Sequence, residues 1–439
     1  MDRKIGSFCI TTLGCKVNRC ESEAIAARLV EQGWKPIEPD GKATLCVVNT
    51  CTVTQRAAMQ SRQAVRQLVR RHPNALMVAT GCYAQVVPEA LAAIPQVHYV
   101  VGNTAKMQIP QLAGRRPGGN GATILVEAIA GRRSFEDLPV GGFSRRTRAF
   151  VKIQDGCDAF CTYCIVPYAR GPSRSLSPEG VLEKAVDLVR QGHEEIVLTG
   201  IHIGHYGQDL VPEISLVDLI RVLECKAKIG RLRLSSIEPA EITDDLVRVI
   251  ADSECLCPHL HIPLQSGDDG VLSSMHRPYT ARGFRDLIHQ VVEALPDVGI
   301  GIDVMGGFPG ETQKAFEHTC RLIETLPVAY LHVFPFSPHK TTPAHRLPNP
   351  VAHGVKKRRC QVLRKLGQIK RTQFYERFVG STMEVLIEGK RDRATGLLQG
   401  FTPNYIPVLV PGDDRLMHHR VRVSLEAVKD GRVYGRPAP

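Results

Sequence analysis

In the first hundred residues, short apolar and β-branched runs alternate with longer stretches of helical composition. FCITTL (8–13), TLCVVN (44–49) and LMVAT (76–80) predict strands, and 21–32, 53–71 and 88–93 predict helices. Strands separated by helices imply an open parallel sheet with helices covering it. Six further strand-like runs follow at 149–154, 195–199, 231–235, 259–263, 299–305 and 329–334, again separated by helical stretches. They predict a second α/β series, a partial (β/α)6 barrel with three quarters of the units of the eight-unit closed form. In the last seventy residues, strand patterns alternate with Gly-rich turns, as in a small β-barrel. The intervening 114–142 is rich in Gly, Pro and Arg and reads as a connection. The expected organisation is an α/β domain over 1–115, a linker over 116–142, a barrel over 143–371 and a small β-barrel domain over 372–439.

Charge and cysteine content sharpen this picture. The 439 residues carry a formal net charge of +12, which points to a polyanionic partner. No run approaches the roughly 18 to 20 apolar residues of a membrane span, and the start lacks the apolar region of a signal peptide, so a cytoplasmic location and no membrane partner are expected. In that compartment the 14 cysteines cannot be a disulfide framework, and some of them are expected to hold metal.

Three of them, Cys157, Cys161 and Cys164, lie in DGCDAFCTYCIVPYARG just after the first predicted barrel strand. Structural zinc takes four ligands, usually as two short pairs, and no second pair sits nearby. A 4Fe-4S cubane held by three thiolates keeps one iron without a protein ligand. Cys15, Cys51 and Cys82 each follow one of the three amino-terminal strands. Ligands in such sheets sit beyond the carboxyl ends of the strands, so these three thiols are expected at one edge. The remaining cysteines, among them Cys9, Cys20 and Cys46, read as packing residues.

The CxxxCxxC spacing after a strand resembles the radical S-adenosylmethionine family, in which S-adenosylmethionine chelates the open iron and is cleaved to a 5′-deoxyadenosyl radical. GCKVNRCES, NTCTVT and GCYAQ, with LTGIHIG, HLHIPLQSG, GGFPGET and FPFSPHKTTPA, resemble the methylthiotransferase branch of that family. Residues from about 373 to 437 resemble its TRAM RNA-binding domain. The resemblance implies two 4Fe-4S clusters, one on each cysteine triplet, and S-adenosylmethionine as cofactor. It also implies a tRNA anticodon stem-loop as substrate and an electron donor such as flavodoxin or ferredoxin. GCKVNRCES, IQDGC, LTGIHIGHYG and SSIEPAEI are most similar to the enzymes that place a methylthio group on C2 of N6-threonylcarbamoyladenosine. The alternatives within the branch are isopentenyladenosine in tRNA and an aspartate of a ribosomal protein. Outside enzymes, an iron–sulfur RNA-binding regulator and a zinc-stabilised RNA-binding protein also fit the charge and the cysteines.

Polar residues expected at barrel strand ends, Thr199, Gly200, Ser236 and Gln265, are candidate contacts for S-adenosylmethionine, and Tyr163 is a candidate neighbour of its adenine. Two basic stretches are candidate RNA contacts. Arg62, Arg66 and Arg70 recur every four residues and so share one helix face, and Lys356, Lys357, Arg358 and Arg359 open a run to residue 371 without an acid.

Overall fold

The computed structural model describes residues 6–38, 41–118, 121–139 and 147–438. The chain divides into two units: residues 1–144 with 152–176 and 337–345, and residues 145–151 with 177–336 and 346–439.

In the first unit, β1 (Ser7–Thr12), β2 (Lys35–Pro36), β3 (Leu45–Thr50), β4 (Leu76–Gly81), β5 (Tyr99–Val101) and β6 (Thr123–Leu125) form one parallel sheet in the order β2-β1-β3-β4-β5-β6. Every residue of β3 and β4 is buried, as expected where helices cover both faces of a parallel sheet. The helix Gln55–Arg71 starts where the Thr54 hydroxyl accepts from the Ala57 amide at 3.0 Å. It turns Ser61, Val65 and Leu68 inward. The segment expected to be a linker is partly structural: Thr123–Leu125 adds the sixth strand beside β5. Three β-branched or apolar residues inside a Gly- and Arg-rich context are too few to give a periodic signal. The predicted boundary at 142/143 lies outside the described residues. Further on in the same unit, β8 (Gln154–Asp155) and β9 (Arg174–Ser175) pair antiparallel and hold the cysteine loop between them.

The second unit contains the six predicted barrel strands as two parallel triplets. One is β11 (Arg231–Leu234), β10 (Glu195–Thr199) and β7 (Arg148–Lys152); the other is β12 (His259–Gln265), β13 (Gly299–Gly306) and β14 (Tyr330–Pro335). Single bridges, Leu232 to Leu256 and Ser236 to His261, join the triplets. The sheet is therefore a partial barrel with one thin seam.

The strands β15 (Thr382–Arg391), β16 (Leu398–Phe401), β17 (Pro407–Val410), β18 (Arg420–Lys429) and β19 (Arg432–Pro437) close into a small barrel around Val385, Ile387, Val408 and Val423. Its 401–405 loop lies against the amino-terminal ends of the larger barrel's strands. Arg231 reaches Glu384 Oε1 at 2.9 Å and Phe401 O at 3.0 Å, and Arg233 donates to Pro403 O at 2.8 Å. Arg233 also pairs with the fully buried Glu195 at 2.7 Å and lies over the Tyr405 ring at 4.9 Å. A Cβ on Gly299 would come within 2.1 Å of Asn404 O, so the approach of this loop to β13 requires glycine. With that end covered, the carboxyl ends of the strands are left as the ligand face.

Candidate functional site

The sequence CKVNRCES folds so that its asparagine and glutamate do the assembling. Asn18 stands one turn into the helix Lys16–Glu31 and donates to Leu13 O at 2.7 Å and Thr50 O at 3.1 Å. Asn49 donates back to Asn18 O at 2.8 Å, and the Thr50 hydroxyl donates to Thr80 O at 2.5 Å. These bonds bolt the loops after β1, β3 and β4 side by side, and those loops carry Cys15, Cys51 and Cys82. Ser61 clamps Cys51 by accepting from its amide at 3.0 Å and donating to its carbonyl at 2.8 Å. A Cβ on Gly14, whose φ is +99°, would fall 2.9 Å from Cys51 Sγ. The first two loops therefore touch only because residue 14 is glycine.

Cys51 and Cys82 are buried and Cys15 is exposed. Burial, with ionised Cys82 and Cys15 adding to it, pushes the Cys51 thiol up to about 11, so Cys82 and Cys15 lie within its field. Burial also raises Cys82, against the pull of Arg170 and Lys106. Three thiols on adjoining strand-end loops are a set that an iron–sulfur cluster accepts. The Thr52 hydroxyl, buried beside Cys51, has no hydrogen-bond partner among the described residues, and a sulfur acceptor would supply one. On these observations Cys15, Cys51 and Cys82 fit an iron–sulfur cluster.

The second triplet lies in a loop built with equal constraint. Gly156 has φ +75°, and a Cβ there would fall 1.9 Å from Pro172 O. The Cys157 amide donates to Gly171 O at 3.0 Å, and the Asp158 carboxylate accepts from the Ser173 amide at 2.8 Å. Phe160 takes a left-handed φ of 42°, and the Ala159 amide approaches Cys157 Sγ at 3.5 Å. Cys161 is buried, while Cys157 and Cys164 are half-buried. An amide donor to sulfur and a tight, glycine-dependent loop suit a cluster held by three thiolates. Tyr163 lies half-buried inside the same loop.

A buried ionic network links the two loops. Arg170 ends the short helix that follows Cys164 and donates to Asn18 Oδ1 at 2.6 Å, and to Glu21 Oε1 and Asp155 Oδ1, each at 2.9 Å. Lys106 also binds Glu21; Lys152 reaches Asp155 at 2.7 Å and Arg174 reaches it at 3.0 Å. Burial alone would raise the Glu21 carboxyl, but Arg170, Lys106 and Lys152 outweigh it and hold the group below its ordinary range. Asp155 is held low in the same way by Lys152, Arg170 and Arg174. Sequence reasoning missed these residues although Glu21, Asp155 and Arg170 stand inside the motifs around the cysteines. Their signal was a set of charges in strongly patterned loops, legible only once partners are known.

In the second unit, Thr199 ends β10 and is buried, and Gly200 follows it half-buried. Ser236 is exposed at the bridge to His261, and Gln265 ends β12 with φ 62°. All four lie at or just beyond carboxyl ends of barrel strands. A missed constellation stands nearby in GIHIGH: His202 and His205 stack at 3.8 Å, and both approach Glu241, His205 at 3.3 Å.

The basic stretches divide. Arg66 and Arg70 are exposed, while Arg62 is half-buried and donates to the Tyr83 hydroxyl at 2.5 Å. Arg359, read as an RNA contact, is instead buried and bound to Glu311 Oε2 at 2.6 Å over the Phe316 ring. Lys356 lies half-buried over Phe336. Lys357 and Arg358 of that group are exposed. An amphipathic helix of 24 residues, His353–Glu376, needs an inward face, and some of the run's long side chains supply it.

Three family models match the chain: an uncharacterised protein family, UPF0004, over residues 7–102, the radical SAM superfamily over 151–323, and the TRAM domain over 376–438. The chain is 38% identical to the threonylcarbamoyladenosine tRNA methylthiotransferase of Bacillus subtilis, over 94% of this chain and 92% of that one. It is 32% identical to the tRNA-2-methylthio-N(6)-dimethylallyladenosine synthase of Pelotomaculum thermopropionicum, over 97% and 96%. Among solved structures, the radical S-adenosylmethionine methyltransferase TsrM of Kitasatospora setae shares the fold, with a TM-score of 0.54 at 13% identity over 79% of this chain and 77% of that one. No helix among the described residues is long and apolar enough to cross a membrane.

Proposed function

The chain belongs to the radical S-adenosylmethionine methylthiotransferase family, and from that premise we propose that it adds a methylthio group to C2 of N6-threonylcarbamoyladenosine in tRNA. The observation that carries this reading is the pair of cysteine triplets, each on a glycine-dependent loop of the first unit, in a chain that aligns end to end with threonylcarbamoyladenosine enzymes. The synthases acting on dimethylallyladenosine align at lower identity, 32% against 38%.

In this reading Cys157, Cys161 and Cys164 hold one 4Fe-4S cluster and Cys15, Cys51 and Cys82 the other. When bound, the clusters and S-adenosylmethionine supply the radical and methylthio chemistry that side chains cannot perform. Thr199, Gly200, Ser236 and Gln265 bind S-adenosylmethionine at the strand ends, and Tyr163 neighbours its adenine. Asn18, Asn49 and Ser61 fix the loops that present the amino-terminal thiols. Arg66, Arg70, Lys357 and Arg358 offer charge to the phosphates of an anticodon stem-loop, and Arg62 stays with Tyr83. A flavodoxin or ferredoxin supplies the electrons, and the reaction takes place in the cytoplasm.

The test is mass spectrometry of tRNA nucleosides from a strain lacking the gene and from the same strain with it restored. The methylthio form of threonylcarbamoyladenosine disappears and returns. Loss of the methylthio group from the isopentenyl nucleoside instead keeps the reaction class and overturns the substrate; no change in either overturns the tRNA assignment.

A further inference from the structure

The network between the cysteine loops is not neutral. Lys106, Lys152, Arg170 and Arg174 are buried with relative exposures of 1, 6, 1 and 3%, and the two carboxylates they share, Glu21 and Asp155, with 4 and 5%. Among the described residues, four cations against two carboxylates leave a surplus of two positive charges. Arg132 and Glu136, paired at 3.5 Å at the margin, add no net charge. An uncompensated charge in a dry interior is strongly unfavourable. Such a surplus persists in a native structure where an anionic group that is not a carboxylate completes it.

The neighbouring groups identify that partner. Arg170 grips Asn18 Oδ1, the same oxygen that Cys15 Sγ approaches at 3.9 Å. The short helix Cys82–Val86 packs on the helix that ends in Arg170. Arg170 and Lys106 lie within electrostatic reach of Cys82, and Arg170 within reach of Cys51. A cluster held by three thiolates is anionic and becomes more so on reduction.

We propose that this surplus is the built-in counter-charge of the amino-terminal cluster, with Lys106 and Arg170 raising its reduction potential and Glu21 lowering it. The inference rests on Cys15, Cys51 and Cys82 being that cluster's ligands. Lys106, Arg170 and Glu21 are positioning residues here, because they act on the cluster's electronics through space and through Asn18.

The test uses the full-length chain with Cys157→Ala, Cys161→Ala and Cys164→Ala, so that the amino-terminal cluster alone is reconstituted and titrated through its reduced-state EPR signal. Lys106→Met removes a cation and lowers the midpoint; Glu21→Gln, nearly isosteric, removes an anion and raises it. Each changes the reduced-to-oxidised ratio at the parent's midpoint by about tenfold, the scale of one unit charge at an effective dielectric of about 20. Opposite shifts of this kind do not arise from loosened packing, which moves both variants the same way. Shifts in one direction, or none at unchanged iron content, overturn the proposal. Should Lys106→Met fail to assemble, Glu21→Gln decides alone, and no rise in its midpoint overturns the proposal. A cluster that survives further Cys15→Ala and Cys51→Ala substitution refutes the ligand assignment instead, whatever the midpoints do.

Discussion

Substituting alanine at Gly156 tests whether the loop carrying Cys157 is as tightly built as its geometry implies. The residue sits at φ +75°, where a side chain costs about 1–2 kcal/mol. The added methyl would lie 1.9 Å from Pro172 O and 2.6 Å from Gly171 O, both backbone atoms with little freedom to yield. Restoring ordinary contact requires the two chain segments to part by roughly 1 Å or more. That separation breaks the 3.0 Å bond from the Cys157 amide to Gly171 O, a further loss of about 1 kcal/mol. The total of about 2–3 kcal/mol lowers the population of the cluster-binding loop by roughly 30- to 150-fold. Anaerobic reconstitution then yields about four irons per chain in place of about eight, and release of 5′-deoxyadenosine falls in proportion. Gly192→Ala is the control, because Gly192 has φ +85° and nothing within 4 Å of an added Cβ. It incurs the backbone cost alone and leaves the iron content unchanged. If Gly156→Ala keeps its full iron and cleaves S-adenosylmethionine within twofold of Gly192→Ala, the steric reasoning is wrong.

Breaking the buried Arg233–Glu195 pair by Arg233→Met should cost about 3–5 kcal/mol, seen as a lower midpoint in denaturant, because Glu195 keeps its charge without its partner. Arg66→Glu with Arg70→Glu should weaken tRNA binding and flatten its salt dependence in filter-binding titrations. Arg359→Ala should destabilise the fold and leave the salt slope unchanged, since Arg359 is committed to Glu311. Glu21 and Asp155 both have carboxyls held below their unfolded values, so the stability they contribute is present above those values and is lost as pH falls. Urea midpoints should therefore drop below about pH 4, and Glu21→Gln should make that drop shallower.

Three of the six amino-terminal strands, β1, β3 and β4, and the six barrel strands were legible because each is a short apolar run bounded by turn or helix signals. The predicted 195–199 matches β10, and the other five barrel strands shift by a residue or two. The metal-binding candidates were legible because thiolate spacing is a property of the chain itself. What escaped was of two kinds. Lys35–Pro36, Tyr99–Val101 and Thr123–Leu125 are too short to carry a period, and their pairings with β1, β4 and each other are long-range events. The fate of the basic run at 356–359 depends on which helix face meets Glu311 and Phe316, so a count of charges cannot separate Arg358 from Arg359.

By itself, then, the sequence determined where thiols could gather, since strand ends in a parallel sheet lie at one edge whatever covers the faces. Only the tertiary structure decided what surrounds them. Glu21, Lys106, Lys152, Asp155, Arg170 and Arg174 come from separated segments, and their meaning lies in an imbalance of charge that matters only when burial removes water from between them.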